Sequence, residues 1–240
     1  MKLTVENLIS IFILANVKDF SLKKLHPWGL TPQEAISLQT QLARRVIRKA
    51  DIQLQNLGTI AGVDTAYRQN CACAAVVVFS LKDLIILEET VAVQPSRFPY
   101  MPGLLSFREG PVILEALSRL KAAPDVLMFD SQGIAHPRRF GLASHIGLLT
   151  DTPAVGCAKT RLIGKFLEPH SARGSTAYLT DEDETIGAVV RTRSGVKPVF
   201  VSIGHRMDLD TCIRIVLESC RGYRLPEPLR RADHLSREKL

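Results

Sequence analysis

Four charged residues at or beside the ends of predicted regular elements could do chemistry together: Asp64, Glu109, Asp130 and Lys159. If the strands that end in Asp64 and Asp130 are neighbours, the three carboxylates converge, and such a cluster repels itself unless a cation neutralises it. Carboxylate oxygens without an accompanying Cys or His set suit Mg²⁺ or Mn²⁺. Such sites carry out phosphodiester hydrolysis, and Lys159 could bind the scissile phosphate as a point charge.

Each acid taken singly is more often structural than catalytic, and the stretch around Asp130 admits both interpretations. An apolar run over 126–129 is typical of a strand buried on both faces, and Asp130 follows it where the strand leaves the sheet. The alternative is a turn that starts with Asp and continues as a solvated loop containing Arg138 and Arg139. The placement of all four charged groups at element ends favours a catalytic site.

The elements that would carry these residues follow an α/β order. Thr31 and Pro32 begin a helix that is predicted to run to about Lys49, with basic last turns that suit either solvent or a phosphate backbone. Apolar runs predict three strands in series and then a helix, over 59–64, 74–79, 85–93 and 104–120. A strand, helix and strand predict a parallel pair with a crossover, over 126–129, 140–149 and 153–158.

The C-terminal third is less regular. We predict a surface loop over 168–184, strands over 186–190 and 199–203, and a helix over 208–220. The tail from Gly222 contains too much proline to begin as a helix. His145, on an apolar helix, is expected to be a core histidine.

The loop from Phe98 to Gly103 holds Tyr100 between two prolines, which fix the backbone and restrict the residue before each of them. This stiffness favours a functional insert, and a tyrosine packed on its own loop is the alternative.

Composition sets wider bounds. The 240 residues suit one domain, and 31 Lys and Arg against 24 Asp and Glu favour an anionic partner. The five cysteines lack metal-type spacing, so we interpret them as reduced thiols in a cytoplasmic protein. The apolar run over 8–15 is too short for a membrane span and lacks the flanks of a signal peptide. Nothing in the sequence requires an obligate protein partner.

Together these motifs resemble the endonuclease V (deoxyinosine 3′ endonuclease) family over roughly residues 26–233. They are Gly62-Val-Asp64-x-x-Tyr67, Pro99-Tyr-Met-Pro-Gly-Leu-Leu-Ser-Phe-Arg-Glu109, Phe129-Asp-Ser-Gln-Gly-Ile-Ala-His-Pro-Arg-Arg139, Gly141-Leu-Ala-Ser-His145 and Gly156-Cys-Ala-Lys159. The resemblance implies a single α/β domain over 26–240, with a ribonuclease H-like mixed β-sheet flanked by helices. Residues 1–25 would form an extension outside the family, either disordered or helical.

The resemblance also implies an activity: DNA repair by a Mg²⁺-dependent nick at the second phosphodiester 3′ to deoxyinosine, leaving a 5′-phosphate. Mn²⁺ is a possible substitute. Asp64, Glu109 and Asp130 would bind the metal, and Asp233 would serve a second one. Lys159 would contact the phosphate. An insert that separates the strands would comprise Pro99, Tyr100, Met101 and Pro102, with His136 beside the cleaved strand.

A pocket for the flipped base would be lined by Gly103, Leu105, Ser131 and Gly133. The family usually has Gly where this chain has Ser131, which adds a side chain near the base. An enzyme that inspects a base must take it out of the stack, and a rigid aromatic insert would hold the gap open. Inosine-containing RNA or branched DNA remain alternative substrates, and a nucleic-acid-binding protein without hydrolysis is the alternative from another class.

Overall fold

One mixed sheet of eight strands organises the computed structural model, which describes residues 22–50 and 54–240. The strands are β1 (Thr59–Arg68), β2 (Cys71–Ser80), β3 (Ile86–Pro95), β4 (Val126–Phe129), β5 (Ala154–Ala158), β6 (Thr176–Asp181), β7 (Glu184–Val190) and β8 (Val199–His205). Their order across the sheet is β3-β2-β1-β4-β5-β8-β7-β6. The predicted parallel arrangement is confirmed, since β1, β4 and β5 are parallel and the remaining pairs are antiparallel.

Helices cover both faces of this sheet. They are α1 (Pro32–Ala43), α2 (Leu105–Leu117), α3 (Leu142–Thr150), α4 (Leu209–Glu218) and α5 (Glu227–Glu238). Alternate residues of β4 point to opposite faces, because side chains alternate along a strand. Val126 and Met128 pack with α4 and α5, whereas Leu127 and Phe129 pack with α2 and α3. The predicted single α/β domain is therefore confirmed.

The first helix is shorter than predicted. Thr31 caps it and Pro32 occupies its first turn, as expected, but the helix ends at Ala43 rather than near Lys49. The backbone of Ile47 pairs instead with the end of β8, where its N–H donates to His205 Nδ1 (3.3 Å) and its carbonyl accepts from Arg206 N (2.7 Å). These bonds take the chain away from the helix axis.

The loop predicted over 168–184 is also wrong in part, because β6 lies within it and pairs with β7. Strand β6 is an edge strand, and Leu179 is its only fully buried residue. Its sequence therefore lacks the apolar run that marks a central strand. The acidic run after Thr180 makes the turn between β6 and β7.

Residues near the N-terminus contact the domain before the predicted boundary at residue 26. Lys23 donates its N–H to the Leu149 carbonyl (2.7 Å), and its ammonium pairs with Asp151 (3.2 Å). His26 Nε2 lies 2.7 Å from Nε2 of His145, which is fully buried as predicted. Residues 1–21, including the apolar run over 8–15, lie outside the described residues. No helix in the described part of the chain is long and apolar enough to cross a membrane.

Candidate active site

Parallel pairing of β1 with β4 places two acids side by side. Val63 pairs with Phe129, so Asp64 on β1 lies beside Asp130, the residue that directly follows β4. The prediction that Asp64 ends its strand is wrong, because β1 continues to Arg68. Strand β4 does end at Phe129, and the sheet therefore opens beside Asp64.

Glu109 reaches the same region from the second turn of α2. Tyr67, further along β1, donates a hydrogen bond from its hydroxyl to Glu109 Oε1 (3.1 Å). Burial is the main cause that raises the pKa of Glu109 to about 8; the Tyr67 hydrogen bond opposes this rise and the charge of Asp64 adds to it. The two carboxyl groups therefore feel each other's charge, as the sequence-based hypothesis of converging acids requires.

The C-terminal helix α5 supplies the fourth acid. Asp233 Oδ1 lies 3.8 Å from Lys159 Nζ and 2.9 Å from Arg237 Nη2. One turn later, Ser236 donates from Oγ to Asp64 Oδ2 (3.0 Å). Burial and then the charge of Asp130 raise the pKa of Asp64, whereas the Ser236 bond lowers it.

Lys159 follows β5 and forms a salt bridge with Asp130. Burial alone would lower the pKa of this lysine, but the hydrogen bond and charge of Asp130 raise it above its usual value. The ammonium therefore provides positive charge within a cluster that has an excess of carboxylates.

The donor set fits a hard divalent cation. Asp64, Glu109, Asp130 and Asp233 offer carboxylate oxygens, and Asp64 is raised in pKa first by burial and then by the charge of Asp130, both of which a bound cation would offset. Within the described residues, no three His, Cys, Asp or Glu side chains already surround a single ion position. Lys159 partly takes the cation's place against Asp130, so binding of an ion would require this salt bridge to rearrange.

A cavity of about 420 Å³ opens beside Asp130. Among the residues that line it are Tyr100, Met101, Pro102, Gly103, Leu105, Ser131, His136 and Lys159. Tyr100 is 70% exposed, so it projects from the surface instead of packing on its own loop. Ser131 is buried, and its Oγ has no hydrogen-bond partner within the described chain.

Gly133 is the predicted pocket residue that lies outside this lining. A Cβ atom on Gly133 would approach the carbonyl oxygen of Ile203 to 2.0 Å. The glycine is therefore required where the loop after β4 crosses β8, and this crossing explains its presence without a bound base.

We call Pro99 to Pro102 the wedge, and a half-buried hydrogen-bond network holds the residue that follows it, Gly103. The carbonyl of Gly103 accepts from Gln39 Nε2 (3.0 Å), His136 Nε2 (2.9 Å) and Arg138 Nη2 (2.8 Å). Arg138 Nε also donates to Gln39 Oε1 (2.6 Å). Burial lowers the pKa of His136 to about 4, so the neutral ring serves as a donor here.

The two arginines that follow His136 anchor loops. Arg138 belongs to the Gly103 network, and Arg139 forms salt bridges with Asp181 (3.0 Å) and Glu184. Both guanidinium groups are therefore held by contacts within the chain. His136 is buried against Gly103 in the absence of a nucleic acid.

Three residues near the site were not predicted from sequence: Gln39, Tyr67 and Ser236. Gln39 had a signal, because it shares the buried stripe of α1 with Ala35 and Leu42, and a polar side chain in such a stripe needs a partner. Tyr67 lies in the first motif, but its link to Glu109 depends on how α2 packs on β1. Ser236 carried no sequence signal.

Comparisons with known proteins identify the family of this chain. The family model described as Endonuclease V matches residues 40–234. Endonuclease V of Methanothrix thermoacetophila is 50% identical over 89% of this chain and 94% of its own length. The crystal structure of endonuclease V from Streptomyces avermitilis is 44% identical, with a TM-score of 0.83 over 88% of this chain and 94% of that one.

A further similar structure contains nucleic acid. It is endonuclease V of Ciona intestinalis in complex with a 24mer DNA containing an inosine followed by a ribo-adenosine. It is 28% identical, with a TM-score of 0.75 over 86% of this chain and 96% of that one. The family match and the identity across most of the chain show that the chain belongs to the endonuclease V family of nucleases.

Proposed function

We propose that this metal-dependent endonuclease recognises deoxyinosine in DNA and hydrolyses the second phosphodiester 3′ to it, leaving a 5′-phosphate. The observation that carries the proposal is that Asp64 on β1 lies beside Asp130, directly after the adjacent strand β4, and that Asp130 lines the 420 Å³ cavity next to the wedge. The Ciona relative bound to inosine-containing DNA supports the substrate class. Removal of deaminated adenine is a repair function.

Asp64, Glu109 and Asp130 would hold the catalytic ion, and Asp233 would serve a second ion. The proposed ion is Mg²⁺, with Mn²⁺ as a substitute, since all four donors are hard oxygen ligands. When bound, the ion lowers the pKa of a water molecule and stabilises negative charge on the phosphate. Lys159 binds the scissile phosphate from the end of β5, where its raised pKa keeps it charged.

The wedge and the cavity have separate roles in recognition. Tyr100, exposed and flanked by Pro99 and Pro102, enters the duplex and fills the gap left by the flipped base. The base enters the cavity between Leu105 and Ser131. Hypoxanthine differs from adenine by an oxo group and a ring N–H, so polar groups of this lining can distinguish the two bases.

The test is cleavage of a duplex oligonucleotide with one inosine, in Mg²⁺, with the cut position mapped. Asp130→Asn removes a metal ligand while keeping the side chain's size, and Asp183→Asn, an exposed position in the turn between β6 and β7, is the matched control. We expect the first variant to lose cleavage and the second to keep it. Equal cutting by Asp130→Asn and the parent chain would refute the proposed site.

Inosine in RNA is a second candidate substrate, because the DNA of the Ciona complex has a ribo-adenosine next to the inosine. Rates on inosine DNA, inosine RNA and branched DNA measured side by side would rank them. The reaction is proposed to take place in the cytoplasm, and the five free cysteines support a reducing compartment.

A further inference from the structure

The last turn of α5 lies against the metal-binding acid of β1. Ser236 is fully buried and donates from Oγ to Asp64 Oδ2 (3.0 Å). It lies two residues beyond the stretch that the family model matches, which ends at residue 234. The contact therefore joins the central acid to a part of the chain outside the family match.

The Ser236 hydroxyl has two acceptors within reach but only one hydrogen to donate. Besides Asp64 Oδ2, the carbonyl of Asp233 lies 3.1 Å from Oγ, which is the ordinary contact of a helical serine with the preceding turn. The bond to a carboxylate is charge-assisted and stronger, so the hydrogen belongs to Asp64. The Ser236 hydroxyl therefore bonds to the strand β1 and not to the backbone of its own helix.

This bond matters because a carboxylate rotates easily about its terminal torsion, which has broad and roughly two-fold preferences. With Oδ2 held by Ser236, Oδ1 of Asp64 is the oxygen left for the cation. Hydrogen bonds from neighbouring groups orient metal ligands in this way, and their loss weakens metal binding.

Helix α5 is fixed firmly enough for this role. It buries Leu229, Ala232 and Leu235 in the core, and its first turn touches β1 so closely that a Cβ atom on Gly62 would lie 2.1 Å from the Pro228 carbonyl oxygen. The first turn of the helix thus packs on Gly62, and its last turn bonds to Asp64. A polar group on such a rigid element can hold a ligand precisely.

From these contacts we infer that Ser236 is a positioning residue, which orients the Asp64 carboxylate for the catalytic ion and thereby makes docking of α5 part of active-site assembly. The inference rests on the proposed function for its cleavage readout, whereas metal binding tests it separately.

The experiment uses the full chain and three variants. Ser236→Ala removes the donor and Ser236→Thr keeps a hydroxyl. Ser219→Ala is the control, because Ser219 is also fully buried but its Oγ has no hydrogen-bond partner in the described residues. Mn²⁺ affinity is measured by calorimetry without nucleic acid, and single-turnover cleavage of inosine DNA is measured over a range of Mg²⁺ concentrations. Thermal unfolding confirms that each variant is folded.

We expect Ser236→Ala to bind Mn²⁺ about 10–100-fold more weakly than Ser219→Ala. Its cleavage rate should fall most at low Mg²⁺ and partly recover at high Mg²⁺, and Ser236→Thr should regain part of the affinity. Equal Mn²⁺ affinity in the two alanine variants, or no Mn²⁺ binding by the parent chain, would overturn the inference. If Ser236→Ala shows the expected loss of Mn²⁺ affinity but the parent chain does not cleave inosine DNA, only the proposed function is refuted.

Discussion

The wedge depends on Gln39, a buried residue of α1 whose hydrogen bonds go to Gly103, Phe140 and Arg138 and to none of the catalytic acids among the described residues. Its side chain makes three hydrogen bonds, to the carbonyls of Gly103 and Phe140 (3.0 Å each) and from Arg138 (2.6 Å). Gln39→Ala removes all three and leaves an N–H of the half-buried Arg138 guanidinium without its partner. We expect a loss of about 3–5 kcal/mol, because a bond to a charged group contributes more than a neutral one.

A typical domain has a free energy of unfolding of about 5–15 kcal/mol, so the variant should still fold. Gly103, however, loses one of its three donors and should be held less firmly. Strand separation is needed only when inosine is in a duplex. We therefore expect Gln39→Ala to cut inosine in a duplex much more slowly, and inosine in a single strand at nearly the parent rate. Both rates are measured under single-turnover conditions, and denaturant unfolding gives the free energy.

Two further variants make this test specific. Gln41→Ala, at an exposed position of the same helix, should change neither the free energy of unfolding nor the ratio of the two rates. Gln39→Glu keeps an acceptor for Arg138 but turns a carboxylate toward the Gly103 carbonyl, so it should also impair duplex cleavage. The reasoning is refuted if Gln39→Ala unfolds within 1 kcal/mol of the parent chain, an order-of-magnitude threshold of about one neutral hydrogen bond. Equal slowing on both substrates would refute it too.

Two other predictions concern packing and pH. Gly62→Ala places a Cβ atom 2.1 Å from the Pro228 carbonyl oxygen, so we expect about 1–3 kcal/mol of destabilisation, measured by denaturant unfolding, and slower cleavage as α5 shifts. Burial, then the charge of His26, lowers the pKa of His145 well below its usual value. Below about pH 6.5 the unfolded chain therefore binds a proton at His145 that the folded chain does not. As the pH falls, this difference should lower the free energy of unfolding by up to about 1.4 kcal/mol per pH unit.

Each of these two predictions has a control variant. Gly29→Ala, where a Cβ atom meets nothing within 4 Å, should be neutral, and a Gly62→Ala variant as stable as Gly29→Ala would contradict the packing argument. For the pH effect, unfolding of the parent chain and His145→Gln is compared between pH 7 and 5, with the exposed His234→Gln as control. The parent's stability should fall more steeply with acid than that of His145→Gln. Parallel curves for these two would show that His145 is not responsible.

The sequence by itself determined the elements whose signals are local. The apolar run before Asp130 predicted a buried strand, and β4 is buried throughout. The capping residue Thr31 and the following proline predicted where α1 begins. The acids Asp64, Glu109 and Asp130 entered one hypothesis because each lies at or beside the end of a predicted element. Each of these inferences depends on residue type and on position within a local pattern.

The tertiary structure decided what depends on partners distant in the chain. Helix α1 ends early because Ile47 pairs with β8, and β6 is a strand because β7 lies beside it. Ser236 contacts Asp64 across 172 positions, and Gln39 holds Gly103 across 64. No local pattern encodes such contacts, because a single serine or glutamine is compatible with solvent until the packing of a helix on the sheet fixes what it faces.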